Sequence, residues 1–404
     1  MKKITIIGDI MIEPPVLKAA KRKGGTYDFS GVFQYVQPLL DEADFVVGNL
    51  ETPLAGKEAT YTQHHYAFNA PDEYADAVKN AGFDLISTAN NHTFDRGYEG
   101  MIRTIKVLDE KGINHAGSYL PGTERPEAFY ADIGDIKVAF VVYTYGTNYG
   151  GSGGKCLAEG EYEGTLNLLR HQSVSSYLPG VLHEKDWVDK VFKKKNLEAR
   201  GRIKKKLGMC YTYARSDDRV DPEALEPYMQ KMQADIRKAK EKADLVIFYP
   251  HAGGQFNLKP GYFTQYVVKK ALEAGADAIA ASHSHCPQII RQLDGIPVAY
   301  SLGNFNMDPL SSLVLHEHLS EYGLALHLYI ENKKVQKVTF SMLKNYGKKR
   351  TQVAGYPVDQ LHAALPDGKE KTQLEKDVRK LYSTVTGRVM KADEPLIRRE
   401  YGLF

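Results

Sequence analysis

Five short apolar runs in this chain each stop at a residue able to hold a metal or move a proton, and that recurrence restricts the fold more than any other feature. Residues 3–7 (KITII) lead into Gly8 and Asp9, residues 44–47 (DFVV) into Gly48-Asn49-Leu50-Glu51, and residues 83–87 (FDLIS) into Thr88-Ala89-Asn90-Asn91-His92. Residues 244–249 (DLVIFY) stop at Pro250-His251, and residues 278–281 (AIAA) at Ser282-His283-Ser284-His285. Runs this short and this apolar read as strands buried on both faces. Helix candidates lie between them: residues 71–81, begun by Pro71 and stopped by Gly82; a stretch with Met101, Ile105 and Leu108 on one face, stopped at Gly112; residues 221–242; and residues 262–273, stopped at Gly275. Alternation of this kind predicts an α/β fold, and in open α/β sheets functional groups gather beyond the carboxyl ends of the strands.

Four further strands are expected. Residues 137–142 run into a polar, glycine-rich stretch at 144–154, and residues 296–301 close at Leu302-Gly303-Asn304-Phe305. Residues 322–330 and 335–341 alternate as an antiparallel hairpin does, with Asn332 and Lys333 between them.

His283 and His285 stand two apart. In extended chain alternate side chains point the same way, so both imidazoles are expected to face one point beyond the strand. A lone H-x-H is more often a pair of polar loop histidines. Asp9 alone reads as a turn residue, Asn91 as an Asx-turn former and His92 as a helix-cap neighbour. At the same end of successive strands they become one cluster of carboxylates, an amide oxygen and imidazoles, the composition of a metal site. Nitrogen and oxygen ligands without thiolate suit Mn²⁺ or Zn²⁺, with Fe as a further candidate. Six or seven ligands exceed one tetrahedral ion and imply two ions about 3.5–4 Å apart. Such a pair lowers the pKa of a shared water and clamps the oxygens of a phosphoryl or acyl group.

Composition narrows the setting. The 404 residues are 43% hydrophobic and 25% charged, enough for one large core or two. A net charge of +3 gives no reason to expect nucleic acid as a partner. Three scattered cysteines without C-x-x-C argue against a disulfide scaffold and suit a reducing cytoplasm; Cys286, beside His285, reads as a small buried filler. Met1-Lys2-Lys3 leads straight into a strand, and the longest apolar run, 138–143, is too short to span a bilayer, so a cytoplasmic chain with no transmembrane segment is expected.

Residues 155–225 break the strand–helix rhythm. Between 185 and 215 there are eleven Lys/Arg against three acids, with helix-like composition and Trp187. A charge run usually solvates a face. The sharper expectation is a basic insertion that attracts an anionic small-molecule or polymeric substrate. The last sixty residues are helical in composition and charged.

The motifs together resemble a known family. Gly8-Asp9, NLETPL (49–54), ANNHTFDRG (89–97), the His251 loop, SHSH (282–285) and YSLGNF (300–305), in this order, are similar to the bacterial capsule-synthesis family of CapA type, linked to poly-γ-glutamate and related to the metallophosphatases. The resemblance covers residues 1–345, apart from the insertion. It implies a four-layer α/β/β/α sandwich with mixed sheets and a dinuclear site at the sheet edge. The helical basic insertion and a helical C-terminal extension, 346–404, would pack on the same domain. Carried over motif by motif, Asp9, Glu51, Asn91, His251, His283 and His285 are the implied metal ligands, with Glu51 bridging. His92 is the implied acid that assists the leaving group, and Asn49 and Asn304 are expected to bind substrate. Where metallophosphatases commonly read D-x-H, this chain has Met11, so the ion shared by Asp9 and His285 is expected to have one ligand fewer; one or two ions are therefore expected. The expected function is hydrolysis of phosphoesters by metal-activated hydroxide. Hydrolysis or transfer at a γ-glutamyl amide, or non-catalytic binding of a polyanion, are the alternatives.

Overall fold

The computed structural model describes residues 1–63, 67–148, 156–172, 187–192, 203, 207, 215–218, 220–308, 318–347 and 353–404. The strands among them are β1 (Lys2–Ile10), β2 (Phe45–Leu50), β3 (Leu85–Ser87), β4 (His115–Ala116), β5 (Phe129–Ile133), β6 (Ile136–Thr144), β7 (Leu245–His251) and β8 (Ala278–Ala280). They continue with β9 (Ile290–Leu293), β10 (Ile296–Ala299), β11 (Asn304–Asn306), β12 (Tyr322–Glu331), β13 (Lys334–Tyr346), β14 (Ala354–Pro357) and β15 (Tyr401–Gly402). One sheet runs β14-β13-β12-β1-β2-β3-β4, with β11 on β1 and β15 on β13; the other runs β5-β6-β7-β8-β10-β9. Both are mixed: β1, β2, β3 and β4 are parallel while β12 is antiparallel to β1, and β6, β7, β8 and β10 are parallel between antiparallel edges.

The period-2 alternation of the strands decides the layering. Ile4 and Ile6 of β1, Val47 and Leu85 meet Val138, Phe140 and Val142 of β6, Ile247 and Ala280 in a single apolar layer between the sheets. Phe45 stacks on Phe140 across it, with centroids 5.3 Å apart. The outer face of the first sheet, with Ile7, Val46 and Ile86, is covered by α1 (Pro14–Ala20) and α2 (Glu73–Asn80), and by Val107 and Leu108 of α3 (Gly97–Glu110). The outer face of the second, with Ala139, Val141, Phe248 and Ile279, is covered by α4 (Pro222–Lys242) and α5 (Tyr262–Ala274). Four layers result, α/β/β/α, the arrangement that the resemblance implies.

Local chemistry sets the element ends. Asp221 caps α4, its Oδ1 accepting from the Ala224 N–H, and Pro222 fills the first helical position. Gly275 ends α5 at φ 101°, a conformation that costs glycine little. Asn332 and Lys333, at φ 53° and 60°, form the two-residue left-handed turn whose twist matches the β12–β13 hairpin.

Some expectations change. The C-terminal segment is not only helical: α6 (Val358–Ala364) and α7 (Lys369–Thr386) are joined by β14 and β15, which extend the first sheet by pairing with β13. Leu374, Val378, Leu381 and Val385, spaced for one helical face, bury α7 against the inter-sheet layer. Most of the basic stretch 185–215 lies outside the described residues; among them Trp187–Val191 is helical. Residues 156–172 pack as part of the core rather than as an appendage, with Leu166 in the inter-sheet layer, Leu169 beside Tyr143, and a bridge from Leu168 to Thr144. Among the described residues no helix is long and apolar enough to cross a membrane.

Glu400 ties the C-terminal segment to the first sheet. It accepts from Lys3 Nζ at 2.8 Å and Tyr329 OH at 2.7 Å, and from the Thr339 hydroxyl. Burial pushes its pKa up, but the lysine and the hydroxyls more than reverse this and hold the carboxyl at about 2. A depressed carboxyl stabilises the fold above its ordinary pKa, 4.5, and that contribution is lost as pH falls toward 2. Glu400→Gln is expected to lower stability by on the order of 2 kcal/mol at pH 7. The gap to wild type should narrow steadily between pH 5 and pH 3, as read by urea unfolding at both pH values.

Candidate metal centre

The first, second, third and fourth apolar runs end side by side because β1, β2 and β3 are neighbours in one sheet and β7 faces them from the other. Asp9 lies at a register shift in β1, where one edge of the strand passes from β12 to β11 while the other stays on β2. Gly8 makes this possible: a Cβ there would lie 1.9 Å from the Gly303 carbonyl oxygen, which accepts from the Asp9 N–H. The Gly8-Asp9 and Leu302-Gly303-Asn304 motifs are therefore two halves of one close backbone contact.

The structure brings the expected ligands together. Glu51, His251 and His283 offer atoms within 4.8 Å of one another, and so do Asp9, Glu51 and His285. Glu51 Oε1 is the hub: His251 Nε2 lies 3.4 Å away, His92 Nε2 3.8 Å and His285 Nε2 3.9 Å. Asn91 Oδ1 is 2.6 Å from His251 Nε2. The separations around Glu51 exceed a hydrogen bond, and they match two ligands that each sit about 2.0–2.2 Å from a common ion.

His283 and His285 arrive by a different route from the one expected. β8 ends at Ala280, and both histidines occupy left-handed backbone, at φ 102° and 54°. They converge because the loop is bent at each of them, not because a strand alternates. Residues other than glycine are rarely held there without a role. Cys286 is buried among the helix-side apolar residues and joins neither ligand group.

Both oxygens of Glu51 and both ring nitrogens of His283 are buried with no hydrogen-bond partner among the described residues. Leaving an ionised carboxylate so placed costs several kcal/mol. Burial first, and the charge of Asp9 second, push the Glu51 carboxyl up to about 8. Burial holds His251 down at about 4 and His283 well below its ordinary value, so both rings are neutral and can donate lone pairs. Unpartnered carboxylate oxygens facing neutral imidazoles form a donor set that fits a divalent cation.

Amides orient the ligands. Asn304 Oδ1 accepts from His285 Nδ1 at 2.9 Å, which leaves Nε2 toward Glu51, and Asn304 Nδ2 donates to the His285 and Ser320 carbonyls. Asn49 Nδ2 donates to Asp9 Oδ1 at 2.8 Å and lies 3.1 Å from His251 Nδ1, while its Oδ1 accepts from Asn90 Nδ2. Both amides are fully buried and used up inside the protein. The substrate contact expected of Asn49 and Asn304 is thus replaced by contact with ligands. Met11 points into the helix-side layer, its backbone held by Asn306 and Tyr74, and adds nothing to the Asp9 group.

His92 reaches the cluster without entering either ligand group. Its Nδ1–H is held by Asp95 Oδ2 at 2.6 Å, and the same oxygen accepts from the Phe68 N–H. Burial lowers the pKa of this ring, but the Asp95 charge and hydrogen bond, with Glu51 behind them, outweigh it and the net shift is upward. Asp95 was legible as an acid three residues after His92 in one turn. Three aromatic rings that periodicity reads only as core wall the site: Phe68 on His92 at 4.4 Å, Tyr145 on His283 at 4.4 Å and Phe256 on His285 at 5.6 Å.

The family model described as bacterial capsule synthesis protein PGA_cap matches residues 3–309. A capsule biosynthesis protein CapA of Bacillus anthracis is 26% identical over 354 residues, 85% of this chain and 71% of that protein. A PGA biosynthesis protein CapA of Bacillus subtilis (strain 168) is 23% identical over 326 residues, 79% of this chain and 68% of that one. Among solved structures, a hypothetical protein from Thermus thermophilus aligns with a TM-score of 0.43 and 15% identity, over 85% of this chain and 99% of that one. A likeness of that size says nothing about chemistry.

The unpartnered oxygens of Glu51 set opposite expectations with and without metal. Glu51→Gln removes a desolvated carboxylate, so the metal-free variant should melt above metal-free wild type. The same variant should take up at least one equivalent less Mn²⁺ or Zn²⁺ by elemental analysis. A Glu51→Gln protein that melts lower without metal and keeps its full metal content would contradict this account.

Proposed function

The chain belongs to the bacterial capsule synthesis family, and from that premise and the geometry of the centre we propose that it is a metal-dependent hydrolase acting on phosphoesters. The observation that carries the proposal is the pair of buried side-chain groups that share Glu51 and could hold metal, with His92 next to Glu51 and part of neither group. Glu51, Asn91, His251 and His283 would hold one divalent ion, Mn²⁺ or Zn²⁺, and Asp9, Glu51 and His285 a second with one position more open. When bound, such ions supply Lewis acidity and lower the pKa of water to near neutrality.

The chain's own residues do the rest. Asn304 fixes which nitrogen of His285 faces inward, and Asn49 holds Asp9 against His251. Asp95 holds the Nδ1 proton of His92, so Nε2 is the atom that faces the cluster. A proton on Nε2 passes to the departing alkoxide, and Asp95 stabilises the ring that carries it. Phe68, Tyr145 and Phe256 narrow the site and keep bulk water from its histidines.

One relative is named a PGA biosynthesis protein, and with the poly-γ-glutamate link of the resemblance this favours a second substrate class, a γ-glutamyl amide, whose carbonyl carbon can be attacked by the same kind of nucleophile. Aryl phosphate mono- and diesters with added Mn²⁺, assayed beside poly-γ-glutamate, separate the two. The phosphoester proposal requires turnover of the former.

His92 distinguishes enzyme from binder. His92→Ala is expected to cut turnover by about 10²–10⁴-fold with metal content unchanged. The loss should be smaller for a nitrophenolate leaving group, which needs less protonation, than for an alkoxide. Equal losses for both leaving groups, or loss of metal, would remove the general-acid role.

A further inference from the structure

The strand β6 carries no ligand, yet its last residue and those that follow touch all three residues expected to join Glu51 on the first ion, His251, His283 and Asn91. Thr144 pairs in register with His251, and the Tyr145 N–H donates to the His251 carbonyl at 2.9 Å. The Tyr145 ring lies on His283. Three residues on, the Asn148 N–H donates to the Asn91 carbonyl at 2.8 Å, and Asn148 Oδ1 accepts from Asn91 Nδ2 at 3.2 Å.

This last contact has a chemical consequence. A side-chain amide has one end that can ligate a cation, the oxygen, and one that cannot, the NH₂. Asn91 Oδ1 lies 2.6 Å from His251 Nε2, inside the cluster, while Asn91 Nδ2 points at an acceptor outside it. Rotating the amide by half a turn would put its NH₂ among the ligands and two oxygens face to face at Asn148. The other arm of Asn148, Nδ2, sits 3.3 Å from His92 Nδ1, whose proton is already held by Asp95. Its contribution therefore runs through Asn91.

We propose that Asn148 is a positioning residue: it sets the Asn91 amide with its oxygen inward and so raises the affinity of the Glu51, Asn91, His251 and His283 group for a divalent ion. The proposal rests on the metal assignment of the preceding subsection. Partners that orient a metal ligand typically change affinity by about 10–100-fold.

The test is a double-mutant cycle on the full chain, stripped of metal and titrated with Zn²⁺ alone against a chromophoric chelator. Asn148→Ala is expected to weaken Zn²⁺ binding about tenfold, with the melting temperature of the metal-free protein unchanged. In an Asn91→Asp background the same substitution should have no effect, because a carboxylate presents an oxygen whichever way it turns. Asn148→Asp, which keeps the acceptor oxygen, should bind Zn²⁺ at least as tightly as wild type. Equal weakening in both backgrounds, weakening in neither, or a loss for Asn148→Asp matching that of Asn148→Ala would overturn the role of Asn148 alone. A wild-type chain that takes up no Zn²⁺ would overturn the metal assignment and this proposal with it.

Discussion

A buried carboxylate with neither oxygen partnered, Glu51, is the constraint around which the edge of this sandwich is arranged. Water is excluded from it, and no N–H or O–H of the described residues reaches it. Three imidazoles stand within 4 Å of one of its oxygens, and two of the three belong with it to ligand groups. Nothing in a metal-free fold rewards that placement. It follows from the topology instead: β1, β2 and β3 lie side by side in one sheet and β7 and β8 in the other, so five polar strand ends are delivered to one point. The apolar layer between the sheets supplies the stability against which the strained, desolvated edge is set.

Much of this was visible in the sequence, for a physical reason. Strands buried on both faces are short and mainly apolar, so the polar residues just after each mark where it leaves the core, and Asp9, Glu51, Asn91 and His251 stand in such stretches. What could not be read are features that depend on long-range contact. The fate of Asn49 and Asn304 is decided by residues 40 and 19 positions away, Asp9 and His285, and nothing local announces it. The convergence of His283 and His285 depends on left-handed backbone that alternation reasoning excludes. The strands β14 and β15 were missed because each takes its pairing from β13, whereas the charged helix α7 between them dominates the composition.

The division of labour within the site also follows from contact. Two amides and a hydroxyl, Asn49, Asn304 and Ser282, hold ligands by hydrogen bonds and bring no charge of their own, and Asn90 holds Asn49 from behind. This leaves His92 as the imidazole tied to a carboxylate outside the ligand groups by a short hydrogen bond, the arrangement suited to carrying a proton rather than a cation.

The central claim is that the cluster around Glu51 is a cation site and not a structural knot of polar residues. Diffraction from crystals grown with Mn²⁺ or Zn²⁺, recorded at the absorption edge of the metal, addresses it directly. The expected result is an anomalous peak about 2.0–2.3 Å from Glu51, His251 and His283. A map without a peak there, in which the Glu51 carboxyl is protonated and hydrogen-bonded to an imidazole, would contradict it.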